Sequence, residues 1–189
     1  GFMAQTTSSV QTAFALLHSI REKSGKRATE GLDDAIILDF CGRDSSLVSA
    51  IQEASVNHQK IIDEFGSELL MQDEELVVST LQSDFINFYA PSTVNPYVAI
   101  AGKGPWVVTS HGAVVHDNGG YGMLGGGHGP SEIIEAMSNN WVMANVMTPS
   151  FSQKRLSDRL KRELGHTRGS CPFTKFICMN SGSEAVTVS

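Results

Sequence analysis

The feature that most limits the fold of this chain is a change of composition near Pro96. Before it the apolar residues recur at helical spacing and glycine is scarce; after it glycine and short β-like runs take over. Such a chain puts helices first and builds a small sheet afterwards. Ser8 or Ser9 is placed to cap a helix in which Val10, Phe14 and Leu17 stand at i, i+4 and i+7, ending near Ser24-Gly25. Ala35 to Phe40 is a short apolar run. A second helix is predicted after Asp44-Ser45, with Leu47, Ile51, Ile61, Ile62 and Phe65 facing inward and a break near Val56-Asn57. Asp73 is placed to cap a third, with Val77, Leu81, Phe85 and Phe88 along one face. No chemistry is apparent before residue 96.

Beyond that point Tyr97 to Ala101, Trp106 to Ser110 and Ala113 to His116 read as the strands of a small β-meander. His111-Gly112 supplies a turn, and Asp117-Asn118-Gly119 closes the last strand. Pro130 suits the start of a helix through Met137. A longer helix runs from about Ser152 to Leu164, with Leu156, Leu160 and Leu164 inward and Lys154, Arg155, Asp158, Arg159, Lys161 and Arg162 on a solvated face. Phe173 to Met179 reads as a final buried strand. The expected organisation is a helical segment over 1–95, a meander and glycine-rich segment over 96–150, and the start of a larger domain over 151–189.

Gross numbers exclude several classes of function. With 189 residues, 41% of them hydrophobic, the chain can build a core and an enzyme is not excluded. The 14 basic and 20 acidic side chains give a net charge of −6 with no block of like charge, so nucleic acid is not an expected partner. The apolar stretches Ala35 to Leu38 and Trp141 to Val146 are far shorter than the roughly 20 residues that span a bilayer. No charged segment followed by an apolar one opens the chain, and Gly1-Phe2 before Met3 reads as an added dipeptide. A soluble, cytoplasmic protein is expected. Cys41, Cys171 and Cys178 form no CxxC pair and read as free thiols.

The end of the chain is the most informative stretch chemically. A strand that passes through Ser181-Gly182-Ser183 into a helix presents unpaired backbone N–H groups and two hydroxyls at a helix N-terminus, which is an anion site suited to a phosphate monoester. Gly182 lets an oxygen approach the backbone closely and permits a positive φ. Ser-Gly-Ser is equally an ordinary turn and helix cap, so the motif alone leaves both readings open. Gly120 to Gly125 fits the GxGxxG pattern of dinucleotide-binding folds, but the glycines run on to Gly129 instead of opening a helix, and no acidic residue ends a strand about 20 positions later. The segment from Gly102 to Trp106 lacks the second glycine-lysine of a phosphate-binding P-loop. His111, His116 and His128 lack companions at metal spacing, and no metal site is predicted.

The order of these features resembles the class III aminotransferases, pyridoxal-phosphate enzymes of fold type I. In that family a meander ending in aspartate leads to a glycine-rich stretch, a Gly-His, a proline and a helix ending in Ala plus an apolar residue. Asp117, Gly127-His128, Pro130 and Ala136-Met137 occupy those places. A helix with paired leucines and then a strand ending in an Asn-Ser-Gly-x-Glu-Ala sequence follow, as do Leu156, Leu160 and the segment from Phe173 to Ala185 here. The similarity covers roughly residues 97 to 189.

The resemblance implies an α/β fold, the N-terminal portion of a fold type I subunit: helical leader, small β-meander, and the start of the large cofactor domain. It implies that Ser181, Gly182 and Ser183 hold the phosphate of pyridoxal 5'-phosphate, and that Tyr121, seven residues before His128, faces the substrate. A tyrosine in such a loop is otherwise a hydrophobic plug. His128 is expected to organise the glycine-rich turn, and Glu184 to serve as a helix-start carboxylate. The implied reaction moves an amino group from an amino acid or ω-amine donor to a 2-oxo acid, in a homodimer. The family places its Schiff-base lysine and the aspartate that faces the pyridinium nitrogen well after the Ser-Gly-x segment. Lys23, Lys26, Lys60, Lys103, Lys154, Lys161 and Lys175 stand in other contexts, so the chain is expected to be an inactive fragment of a longer enzyme, with no catalytic residue of its own. Thr187 and the long helical leader depart from the family pattern. The competing expectation is a non-catalytic helical interaction protein carrying a degenerate cofactor-like half; an NAD(P)-binding oxidoreductase is a weaker third.

Overall fold

A computed structural model of the chain describes residues 7–87, 89–118, 125–142, 145 and 147–189. The chain forms two units, Gly1–Asn139 and Asn140–Ser189.

The first unit is built around one long helix. The apolar stripe after Ser45 recurs at helical spacing for long enough to give α3 (Ser45–Phe65), which buries Leu47, Val48, Ala50, Ile51, Ala54 and His58. It runs unbroken through Val56-Asn57, where a break was expected. Ile61 and Ile62 are half-buried and Phe65 is exposed, because the stripe turns away from the core in the last two turns. Asp44 starts α3, its Oδ1 accepting the Ser46 N–H at 2.9 Å. α1 (Thr7–Glu22) lays Ala13, Leu17 and Ile20 against α3. It begins before the expected cap, so Ser8 and Ser9 lie inside its first turn. The apolar run at Ala35 is part of a helix, α2 (Asp34–Arg43), with Ile37 and Cys41 one turn apart and both buried. α4 (Ser67–Met71) and α5 (Glu74–Gln82) follow. In α5 only Val77 of the expected apolar face is buried; Leu81 and Phe85 are exposed, and Phe88 lies outside the described residues.

The expected meander forms. β1 (Ala99–Lys103), β2 (Trp106–Thr109) and β3 (Val114–His116) make an antiparallel sheet in sequence order. β1 starts later than the sequence suggested, with an irregularity between Ala99 and Ala101. The central strand is buried at every position because α3 packs across it. Trp106 and Val108 join Leu17, Ile37 and Ile51 in a single cluster, so the helices and the meander share one core. The Trp106 indole donates to Asp44 Oδ2 at 2.8 Å, which makes one carboxylate both the cap of α3 and the anchor of β2. α6 (Ser131–Met137) buries no residue.

The second unit contains α7 (Phe151–Gly165) and α8 (Gly182–Val188). α7 opens with a reciprocal capping box between Ser150 and Gln153. The strand expected over Phe173 to Met179 is not formed. A strand is defined by the ladder it makes, and none of the described residues pairs with this segment. The architecture is mixed α/β, and no helix among the described residues is long and apolar enough to cross a membrane.

Candidate functional site

Ser181 precedes α8 in an extended conformation, φ −147° and ψ 158°, and its hydroxyl oxygen accepts the Glu184 N–H at 3.2 Å. The Glu184 carboxylate turns back and accepts the Asn180 N–H at 2.9 Å, so it is a helix-start carboxylate as expected. The N–H of Ala185 reaches the Ser181 carbonyl at 3.1 Å. This leaves the N–H groups of Gly182 and Ser183 and the Ser183 hydroxyl without an acceptor among the described residues. They are exposed, at the positive end of the α8 dipole.

Gly182 needs neither of the usual reasons to be glycine. Its φ lies outside the left-handed region, and a Cβ built on it meets nothing within 4 Å. The space beside its N–H is therefore open to an oxygen atom. Of the three sequence-predicted residues, Gly182 and Ser183 thus form a contiguous donor set for an anion, two amides and one hydroxyl, while the Ser181 hydroxyl is engaged in the cap. They fit a phosphate group; the described residues around them do not supply walls for a ring.

Tyr121 lies outside the described residues, as do Gly120 to Leu124 of the GxGxxG-like run. Both flanks of that segment are fixed in the first unit. Gly104 and His128 exchange backbone hydrogen bonds at 2.9 and 2.8 Å, and the Asp117 N–H donates to Pro105 O at 2.7 Å. The His128 ring meets Asp117 Oδ2 at 2.9 Å, and Lys103 Nζ donates to Gly129 O at 2.9 Å. His128 packs over Gly102 so closely that a Cβ there would lie 2.8 Å from the His128 Cβ. His128 is thus the organiser of the glycine-rich turn, and the chain that carries Tyr121 leaves and returns beside a single Asp–His pair. A cleft of about 350 Å³ lies there, lined by Gly104, Pro105, Asp117 and Gly125 to His128.

The larger cleft of the second unit, about 700 Å³, runs between α7 and residues 174–178 and does not include Ser181, Gly182 or Ser183. Lys154, Lys161 and Lys175 line it. Among the described residues no group of three or more His, Cys, Asp or Glu side chains is placed to hold a metal. All three cysteines are free; burial, and then the Asp44 carboxylate, push the Cys41 thiol up to about 11. Two features escaped the sequence, the Asp117–His128 pair and a buried polar cluster at Ser24, His58 and His111. The first had a visible signal in the closing Asp117 and the Gly-His; the second had none.

No protein-family model matches the chain, and neither a curated protein nor a solved structure is similar enough to it to count as a match.

Proposed function

We propose that this chain provides the phosphate-holding part of a pyridoxal-phosphate-dependent class III aminotransferase, as the N-terminal portion of a fold type I subunit. The observation that carries the proposal is the pair of N–H groups at Gly182 and Ser183, which have no acceptor among the described residues and open a helix directly after Asn180-Ser181. Gly182 and Ser183 donate their amides to a phosphate oxygen, Ser183 adds its hydroxyl, and Ser181 holds the helix start in place through the Glu184 N–H. Glu184 is kept off the anion by its bond to Asn180. When bound, pyridoxal phosphate supplies the electron sink that lets an amino group pass from a donor to a 2-oxo acid. Lys103, Asp117 and His128 fix the chain on either side of Tyr121, which the same reading places against the substrate. It also carries a cytoplasmic homodimer and assigns no catalytic residue to the 189 residues here.

Expression of the complete coding sequence, incubation with pyridoxal phosphate and assay with an amino donor and a 2-oxo acid test the proposal. Cofactor uptake with amino transfer is the expected result, and Tyr121→Phe should alter donor specificity or turnover. Absence of both uptake and transfer overturns the proposal. That outcome leaves the reading as a non-catalytic helical interaction protein with a degenerate cofactor-like half.

A further inference from the structure

The turn between β2 and β3 is buried, an unusual place for a connection, since turns normally face water that satisfies their polar groups. Thr109, Ser110 and His111 are all 0% exposed. The Ser110 N–H donates to Val98 O at 2.8 Å within the meander, and further partners of this turn come from the helical segment. Ser24, just after α1, places its hydroxyl 3.0 Å from the Ser110 carbonyl, 2.7 Å from the Ile20 carbonyl and 3.0 Å from His58 Nε2 on α3. His111 Nε2 lies 2.8 Å from the Gln72 carbonyl, and its Nδ1 lies 2.9 Å from the Ser110 hydroxyl. Arg21 Nε donates to Gly112 O at 2.9 Å. Gly112 itself has φ 78°, and a Cβ there would lie 2.4 Å from Arg21 Cγ, so the turn closes around the arginine.

The carbonyls of Ile20 and Ser110 can only accept, and the shorter Ser24 contact is to Ile20. With the hydroxyl proton on Ile20 O, Ser24 Oγ accepts from Nε2–H of a neutral His58. His58 is 2% exposed, so a second proton on its ring would put a charge into the packing between the helices and the buried turn.

We propose that Ser24, His58 and the buried β2–β3 turn form an acid-sensitive latch, which holds the meander against the helices while His58 is neutral and opens when it takes up a proton. The surrounding charges agree. Lys23 from the end of α1 and His111 from the turn act on His58, and no carboxylate is among the groups that do. Farther out Arg21 is held by Gly112 and Asp34, Arg27 also reaches Gly112, and Glu74 caps the Ala28 N–H. Burial first, then Lys23 and His111, pull His58 below its ordinary value of about 6.5.

The direction of the pH dependence follows. The unfolded or opened chain keeps the ordinary value, so above pH about 6.5 both states are neutral and the latch is fully present. As pH falls below that, the open state binds the proton first, and the latch weakens until pH has passed the lower folded value. Each unit by which the folded value is depressed raises the opening equilibrium about tenfold once that point is passed.

Amide hydrogen exchange at Ser110, His111 and Gly112, corrected for intrinsic rates, tests this on the whole chain between pH 8 and 5.5. The imidazole resonance of His58 is titrated in parallel. Wild type should open progressively more below pH 6.5, whereas His58→Gln, which keeps an N–H for Ser24 but cannot be charged, should show a flat profile. Equal acid opening in both chains, or none in either, overturns the proposal. If the variant does not fold, the wild-type titration decides: a His58 midpoint at or above 6.5 overturns the proposal, and one clearly below it supports it.

Discussion

The two units spend their apolar residues differently. In the first, helices and meander enclose Leu17, Ile37, Ile51, Val108 and Val114 at 0% exposure around Trp106. In the second, Gly165 is the one buried residue among those described, while Leu156, Phe173, Ile177 and Val186 are exposed. The donor set that reads most clearly as a binding site therefore sits in the unit with the least packing of its own. A phosphate cradle made of backbone amides needs only a helix start and a local cap, and Ser181 and Glu184 provide both without a core. Positioning of side chains over long sequence distance needs packing, and those features lie in the first unit.

The thiols give the largest contrast between the units. With its thiol pushed up to about 11, Cys41 is ionised to only about one part in a thousand at pH 8, and burial hides what thiolate there is. Cys178 in the second unit is exposed. Alkylation at pH 8 followed by mass mapping should label Cys178 at once and leave Cys41 unmodified until denaturant is added. Labelling of both at similar rates would mean that the first unit opens freely.

Core truncation comes next. Ile51→Ala should cost about 2–5 kcal/mol, because a fully enclosed side chain leaves a cavity. Leu156→Ala on half-exposed α7 should cost under about 1 kcal/mol. Each unit carries its own fluorophore, Trp106 buried in the first and Trp141 half exposed in the second. Urea unfolding followed by fluorescence should show the Ile51 variant shifting the Trp106 transition. Equal shifts from both variants would erase the distinction between the units.

A smaller effect isolates the joint between helix and sheet. Asp44 uses one oxygen for the Ser46 amide and the other for the Trp106 indole. Asparagine has only one oxygen, so Asp44→Asn can serve the cap or the indole but not both, and should cost about 1–3 kcal/mol. The Trp106 emission is the readout, and an unchanged transition would remove the joint.

What the sequence showed of all this follows from the range of the interactions. α1 and α3 were legible because their apolar stripes repeat within a few residues, and the meander because Gly104-Pro105 and His111-Gly112 punctuate it. α2 was not, since Ala35 to Phe40 is too short for its period to distinguish helix from strand. Phe173 to Met179 has the composition of a strand, but strand identity belongs to the pair, and no described residue pairs with it. The Ser-Gly-Ser donor set was visible because cap, glycine and carboxylate all fall within five residues. The latch was invisible because Ser24 meets His58 across 34 positions and Ser110 across 86, and no local pattern encodes that meeting.

The smallest expected effect on stability separates site from scaffold most sharply. Gly182→Ala places a methyl group where no atom lies within 4 Å, at a φ that any residue adopts, and alanine suits a helix better than glycine does. Folding stability should stay within about 0.5 kcal/mol of wild type in urea unfolding. The same methyl group would stand in the open space beside the Gly182 amide, where the proposed phosphate oxygen approaches. If the α8 N-terminus holds the proposed cofactor, the substitution should weaken pyridoxal phosphate at least about tenfold, a loss of about 1.4 kcal/mol of binding. Ser183→Ala removes a hydroxyl that makes no bond to another described residue, and should weaken the proposed cofactor less, since both amides remain. If Gly182→Ala leaves both stability and cofactor affinity unchanged, the α8 N-terminus is only a helix cap, and the phosphate must be sought elsewhere. If stability alone falls, the glycine serves the fold and the space beside it is not a binding site.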